Sequence, residues 1–131
     1  MTKARQVSVW VDSSPGQIAR ITGALARARI KVTAFTCYGN GGEIPVRLLV
    51  NNPARAREVL RSLDLRVTEE QVLRLTLADK PGTLAKIADR LGQARINIVY
   101  SYATATRGER QFDLVLAVSD LVGALKVLKD L

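Results

Sequence analysis

The chain has no histidine and a single cysteine, Cys37. Histidine supplies most acid–base catalysis near neutral pH and is the commonest metal ligand. Its absence excludes Ser-His hydrolytic sites and the usual zinc sites together. One thiol cannot form an intrachain disulfide, which suits a reducing compartment, and Cys37 reads as a strand residue with no special role. Aromatic residues are only 5 % of the 131, whereas apolar residues reach 47 %, so the core must be aliphatic. No apolar run approaches the roughly 20 residues of a membrane span. The opening Met1-Thr2-Lys3-Ala4-Arg5-Gln6 lacks the apolar stretch of a secretory signal. The expectation is a cytoplasmic protein with no membrane partner, no metal and no cofactor.

Acidic residues are also scarce in one half. Residues 1–66 hold 11 Lys/Arg against 4 Asp/Glu, whereas residues 67–131 hold 9 against 8, within a net charge of +8. Such a bias can mark an anionic partner. No aromatic residues interleave the arginines and no nucleic-acid signature appears, so the basic half reads as a solvated helical face and nucleic acid is disfavoured.

What the chain does have is an internal repeat. Ser14-Pro15-Gly16 returns as Lys80-Pro81-Gly82, 66 residues later. From Pro15 to Thr36 the two copies align without gaps and share eight identities in 22 positions, including Pro15/Pro81, Gly16/Gly82, Ile21/Ile87, Leu25/Leu91 and Ile30/Ile96. A duplicated unit follows.

Each copy reads as strand, helix, strand, strand, helix. Val7, Val9 and Val11 alternate with Ser8 and Trp10, as Leu73, Leu75 and Leu77 alternate with Arg74 and Thr76, the period of a strand with one buried face. Pro15 and Pro81 are expected in the first turn of the following helices, where proline is tolerated. Ile18, Ile21, Leu25 and Ala28 make the apolar stripe of one helix; Leu84, Ile87, Ala88, Leu91 and Ala94 make that of the other. Hairpins over 30–38 and 44–50, and over 96–105 and 111–118, flank Gly39-Asn40-Gly41-Gly42 and Arg107-Gly108-Glu109. Short second helices open at Pro53 and after a cap at Ser119 or Asp120. Leu65-Arg66-Val67-Thr68 is a candidate fourth strand for the first copy. The fold class is α+β: two ferredoxin-like β-α-β-β-α-β units, each an antiparallel sheet with helices on one face, over 1–68 and 69–131. The second unit ends without its fourth strand, and an uncovered edge favours dimerisation.

A unit whose first strand ends in Asp79-Lys80-Pro81-Gly82-Thr83-Leu84, with Ala94-Arg95-Ile96-Asn97-Ile98 one helix later, resembles an ACT domain. The resemblance covers nearly the whole chain as two copies and is similar to small stand-alone tandem ACT proteins of amino-acid regulation. It implies that a small effector, an amino acid, binds between units, with the strand-to-helix loop facing the start of the second strand. The residues suit that chemistry. Gly82 lets a ligand reach the backbone, and the N–H groups of Gly82, Thr83 and Leu84 can receive a carboxylate. Asp79 can accept from an ammonium group, and Asn97, beside Ile98, can donate and accept. The first copy carries Ser13, Ser14, Gly16, Gln17, Ile18 and Lys31 at the matching positions, with Asp12 one residue away. Lys31 in place of Asn97 points to a more anionic ligand or a different pairing there, so the two sites are expected to be unequal, with the second better equipped. Trp10 is expected to pack against a partner or the other repeat. Arg47 and Asp113, also 66 residues apart, alternate with core residues on the third strands.

Two functions compete. One is a non-enzymatic, effector-binding regulatory module, expected as a homodimer acting on a regulated enzyme. The other is an interaction protein whose basic first half binds an acidic partner or nucleic acid. An enzyme is the weakest reading, because no nucleophile and base occur at a recognisable spacing.

Overall fold

The computed structural model describes residues 1–39, 41–106, 108 and 110–131; Asn40, Arg107 and Glu109 of the two expected turns lie outside the described residues. The elements are β1 (Thr2–Asp12), α1 (Gln17–Arg27), β2 (Val32–Cys37), β3 (Glu43–Val50), α2 (Pro53–Arg61), β4 (Arg66–Ala78), α3 (Thr83–Gln93), β5 (Ile98–Thr106), β6 (Gln111–Val118) and α4 (Leu121–Leu128). Two stretches read from the sequence as separate strands, 65–68 and the alternating run through Leu73, Leu75 and Leu77, are one continuous β4.

Two compact units form: Arg5–Glu70, and Gln71–Leu131 together with Met1–Ala4. The division passes through β4, and the strand order is β2-β3-β1-β4 in the first unit and β1-β4-β6-β5 in the second. Residues 2–4 of β1 therefore stand where the second unit needs a fourth strand. The protein's own N-terminal residues fill that place, and the missing strand no longer argues for a dimer.

In the first unit β1 and β2 both pair antiparallel with β3, through Val9↔Val46 and Cys37↔Val46. Val7, Val9, Val11, Val46 and Val67 pack with Ile21, Leu25, Ala56 and Leu60 of the two helices. In the second unit β4 and β5 pair antiparallel with β6, and Leu73, Leu75, Leu77, Leu114 and Leu116 meet Ile87, Leu91, Ala124 and Leu128. The apolar periodicities of 2 and 3.6 thus build both cores. The stripe expected for α3 is narrower than its sequence suggests: Leu84 is 55 % exposed, and Ala88 and Ala94 are exposed as well.

The helix starts also differ from expectation. Gly16 and Gly82 are the N-caps, at φ 91° and 92°, so Pro15 and Pro81 lie in the turn before each helix rather than in its first turn. Asn52 and Asp120 cap α2 and α4 by accepting from the N–H groups of Arg55 and Gly123. Ser119 is used elsewhere: its Oγ accepts from the Asn97 N–H at 2.9 Å.

The second copy's hairpin is two residues longer. Trp10 pairs with Pro45 and Thr76 with Asp113, so the structural counterpart of Asp113 is Pro45 and not Arg47. Asp113 is bound inside its own unit, to Arg74 at 2.6 and 3.0 Å and to the Thr76 hydroxyl at 2.8 Å.

Candidate functional site

Each unit opens a cavity where its first strand turns into its first helix. The turns are built alike: the Ser13 N–H donates to the Gly42 carbonyl at 3.1 Å and the Asp79 N–H to the Arg110 carbonyl at 2.8 Å, tying each loop to the neighbouring hairpin. The positive φ of Gly16 and Gly82 then aims the helix start back across the sheet. No side chain caps α1 or α3 and no acid stands in either first turn, which leaves the partial positive charge of the helix N-terminus open to an anion. A Cβ at either glycine would meet nothing within 4 Å. Glycine is needed there for its backbone angle, not for close approach of a neighbour.

The second unit's cavity, about 440 Å³, is lined by Thr76, Leu77, Ala78, Lys80, Pro81, Gly82, Thr83, Lys86, Ile87 and Leu131. Its floor is apolar and its charged side chains are two lysines. Of the residues expected from the sequence, Lys80, Pro81, Gly82 and Thr83 come together here. Asp79 is exposed beside them and Leu84 is exposed, and neither is among the lining residues. Lys86, one helical turn into α3, lies outside the sequence motif; its spacing of three from Thr83 was the available signal.

The first unit's cavity is smaller, about 260 Å³, and is lined by Val11, Asp12, Ser13, Ser14, Pro15, Gln17, Ile18, Cys37 and Ile44. Gly16 is the N-cap beside it. Asp12 accepts hydrogen bonds from the Gln17 amide and, at 3.0 Å, from the Ser14 hydroxyl. Those bonds, Gln17 first, hold its carboxyl below the ordinary carboxylate range, with Arg20 adding attraction. The charge at this cavity is negative. Lys31, on which the expected anionic preference rests, stands at the other end of the unit.

The same displacement applies to Asn97 and Ile98. β4 ends at Ala78 opposite Gln111, which pairs with Thr106; β5 begins at Ile98 opposite Val118. The start of β5 is therefore about 26 Å from the loop end of its own sheet, at 3.3 Å per residue. A β-α-β crossover returns the chain to the end where the first strand began. Asn97 and Lys31 have matching structural work there: the Lys31 N–H donates to Asn51 Oδ1 at 3.1 Å while the Asn51 N–H donates to the Lys31 carbonyl, and Ser119 makes the same pair of bonds with Asn97.

Trp10 is covered within its own unit. The Arg66 guanidinium lies 4.5 Å from its ring centroid and also binds Glu43. Among the described residues, no three His, Cys, Asp or Glu side chains gather as metal ligands, and no helix is long and apolar enough to cross a membrane.

A family model described as an ACT domain pair matches residues 1–120. Among solved structures, a Bacteroides thetaiotaomicron protein, BT0572, is similar at TM-score 0.91 and 25 % identity over 98 % of this chain and 88 % of that one. The ligand-free regulatory subunit of aspartate kinase from Thermus thermophilus is similar at TM-score 0.70 and 16 % identity over 99 % and 97 %. The corresponding subunit from Thermus flavus reaches TM-score 0.64 at 17 % identity over 99 % and 96 %. No relative is found among the curated proteins.

Proposed function

We propose that this chain, which belongs to the ACT domain pair family, is a regulatory module that binds a small effector, an amino acid, and performs no chemistry of its own. The observation that carries this reading is the second unit's cavity: Lys80, Lys86 and the Thr83 hydroxyl around an uncapped helix N-terminus, above an apolar floor. A carboxylate suits that arrangement, because helix N–H groups and two ammonium groups offer donors and positive charge. The apolar floor suits an aliphatic side chain. Asp79, exposed next to Lys80, is the acceptor we assign to the effector's ammonium end.

The first unit's cavity takes the opposite sign. Asp12, ionised and held by Gln17 and Ser14, suits an ammonium end, and half-buried Ile18 and Ile44 supply its apolar wall. The two sites are therefore unequal in charge as well as in size. Two of the structural neighbours are regulatory subunits of an aspartate kinase. A comparable role, acting on a separate enzyme, is the one we assign. Transmission requires a second, coupled site.

A thermal-shift series tests the reading. Each amino acid is compared with its deaminated carboxylic acid and its decarboxylated amine, since a ligand that binds only the folded state raises stability by RT ln(1 + [L]/Kd). Stabilisation by an amino acid, part of it retained by the carboxylic acid, is expected. If no compound raises Tm at concentrations on the order of millimolar, the effector-binding reading fails.

A further inference from the structure

We propose that the end of the first unit opposite its cavity is a docking surface for an acidic segment of a partner protein, built from Arg27, Arg29, Lys31 and Arg55. The backbone joins these residues. Arg27 ends α1 and Arg29 follows at φ 60°. Lys31 exchanges bonds with Asn51, and the next residue, Asn52, caps α2 by accepting from the Arg55 N–H. All four side chains are exposed, and among the described residues none of them forms an ion pair.

Five other arginines are paired, whereas Arg20, Arg61, Arg95 and Arg110, scattered over the chain, share the lack of an ion pair among the described residues. Arg5 and Arg57 are neutralised by Glu69, Arg66 by Glu43, Arg74 by Asp113 and Arg90 by Asp130. The acid closest in sequence to the cluster, exposed Glu58, lies three residues beyond Arg55 on α2.

The internal repeat supplies a control for what the fold itself needs. The positions matching Arg27, Arg29, Lys31 and Arg55 in the second unit are Gln93, Arg95, Asn97 and Gly123, and the cap matching Asn52 is Asp120. The same backbone is thus built there with one cation and one acid. Arg55 moreover sits in the first turn of α2, where the helix dipole disfavours a cation. Three of the four cations, and the loss of the acid, are dispensable for folding, and their accumulation on one end matches a polyanion.

A protein segment fits better than nucleic acid. Four cations on one end of a small unit fall short of the 6–10 phosphate contacts of a typical duplex binder. No aromatic residue occurs in segments 27–32 or 50–58 to stack a base. Arginine forks, by contrast, match carboxylates in pairs. Helix α1 also links this end to the cavity: its first turn supplies Gln17 and Ile18 to the lining and its last turn supplies Arg27.

This surface extends the regulatory reading but uses other residues, so the two can fail separately. The test is fluorescence anisotropy of the full chain with a labelled decaglutamate peptide and with a labelled 12-base-pair duplex, at low salt. The triple variant Arg27→Gln, Lys31→Asn, Arg55→Gln removes three clustered cations, two by adopting the second unit's residues. The triple variant Lys3→Gln, Lys126→Gln, Lys129→Gln removes three exposed cations elsewhere. The expected result is peptide binding weakened at least tenfold by the first triple and less than twofold by the second. Equal losses in both triples, absence of peptide binding, or tighter binding of the duplex would each overturn the proposal. Peptide binding that persists in a chain no amino acid stabilises would leave this surface standing and reject only the effector site.

Discussion

Arg74 grips Asp113 across the β4–β6 ladder through two nitrogens, Nη2 at 2.6 Å and Nε at 3.0 Å from the same carboxylate oxygen. The hydrogen bond from Arg74 is the main cause of a carboxyl pKa below the ordinary 3.8, assisted by the Thr76 hydroxyl and opposed by partial burial. A group whose folded pKa is depressed stabilises the fold above its unfolded pKa, and that contribution fades as pH falls through the folded value. Arg74 is 41 % exposed, so screening holds the contribution to about 1 kcal/mol or less. Asp113→Asn should therefore lower the urea midpoint at pH 6, and the gap from the parent protein should narrow as pH falls below the ordinary 3.8. A gap of constant size would show that the ion pair contributes nothing pH-dependent.

At Gly82 and Gly16 the left-handed φ, with open space where a methyl group would stand, separates backbone strain from crowding. Gly82→Ala and Gly16→Ala should each cost about 1–2 kcal/mol, and the two costs should agree within about 0.5 kcal/mol. Denaturant melts of both variants measure this. A much larger cost at either position would mean that something besides the φ angle selects glycine there.

Arg95 closes α3 at φ 57°, with the Arg95 N–H on the Gly92 carbonyl and the Ile96 N–H on the Leu91 carbonyl. This is a Schellman ending with a residue other than glycine at the left-handed position. Arg95→Gly should stabilise the protein by about 0.5–1 kcal/mol. A lower Tm for the variant would show that the arginine side chain contributes more than its backbone strain costs.

Met1–Ala4 group with Gln71–Leu131, so their removal should be felt far along the chain. Deletion of these four residues should raise amide exchange in β4 and β6 of the second unit more than in β3 of the first. Faster exchange confined to the first unit would contradict the assignment of residues 1–4.

Much of this architecture is legible in the sequence because the repeat preserves what the backbone requires. Pro-Gly at both loops, the valine and leucine alternation, and Ile21/Ile87 with Leu25/Leu91 fix strand, turn and helix by period and by φ. The sites are less legible, because motif spacing says nothing about which end of a strand a residue reaches. Asn97 and Lys31 follow the loops closely in the motif, yet the crossover carries both to the far end of their sheets. Aligning the repeats sets Ser13, not Asp12, opposite Asp79, and only the loop geometry brings the Asp12 carboxylate to Gln17 and Ser14. The constant offset matches Asp113 with Arg47, whereas the longer hairpin shifts the register by two residues. The role of Met1–Ala4 cannot be read locally, since those residues simply continue β1.

The central claim is that the second unit's loop recognises an effector through Lys80 and Lys86. Titration calorimetry of the best-stabilising amino acid against the parent protein and the Lys80→Gln, Lys86→Gln double variant tests it most directly. The account predicts binding to the parent protein weakened at least tenfold in the double variant, a loss of about 1.4 kcal/mol or more, with Asn97→Ala leaving affinity within twofold. Unchanged affinity in the lysine variant, or loss of binding in Asn97→Ala alone, would contradict it.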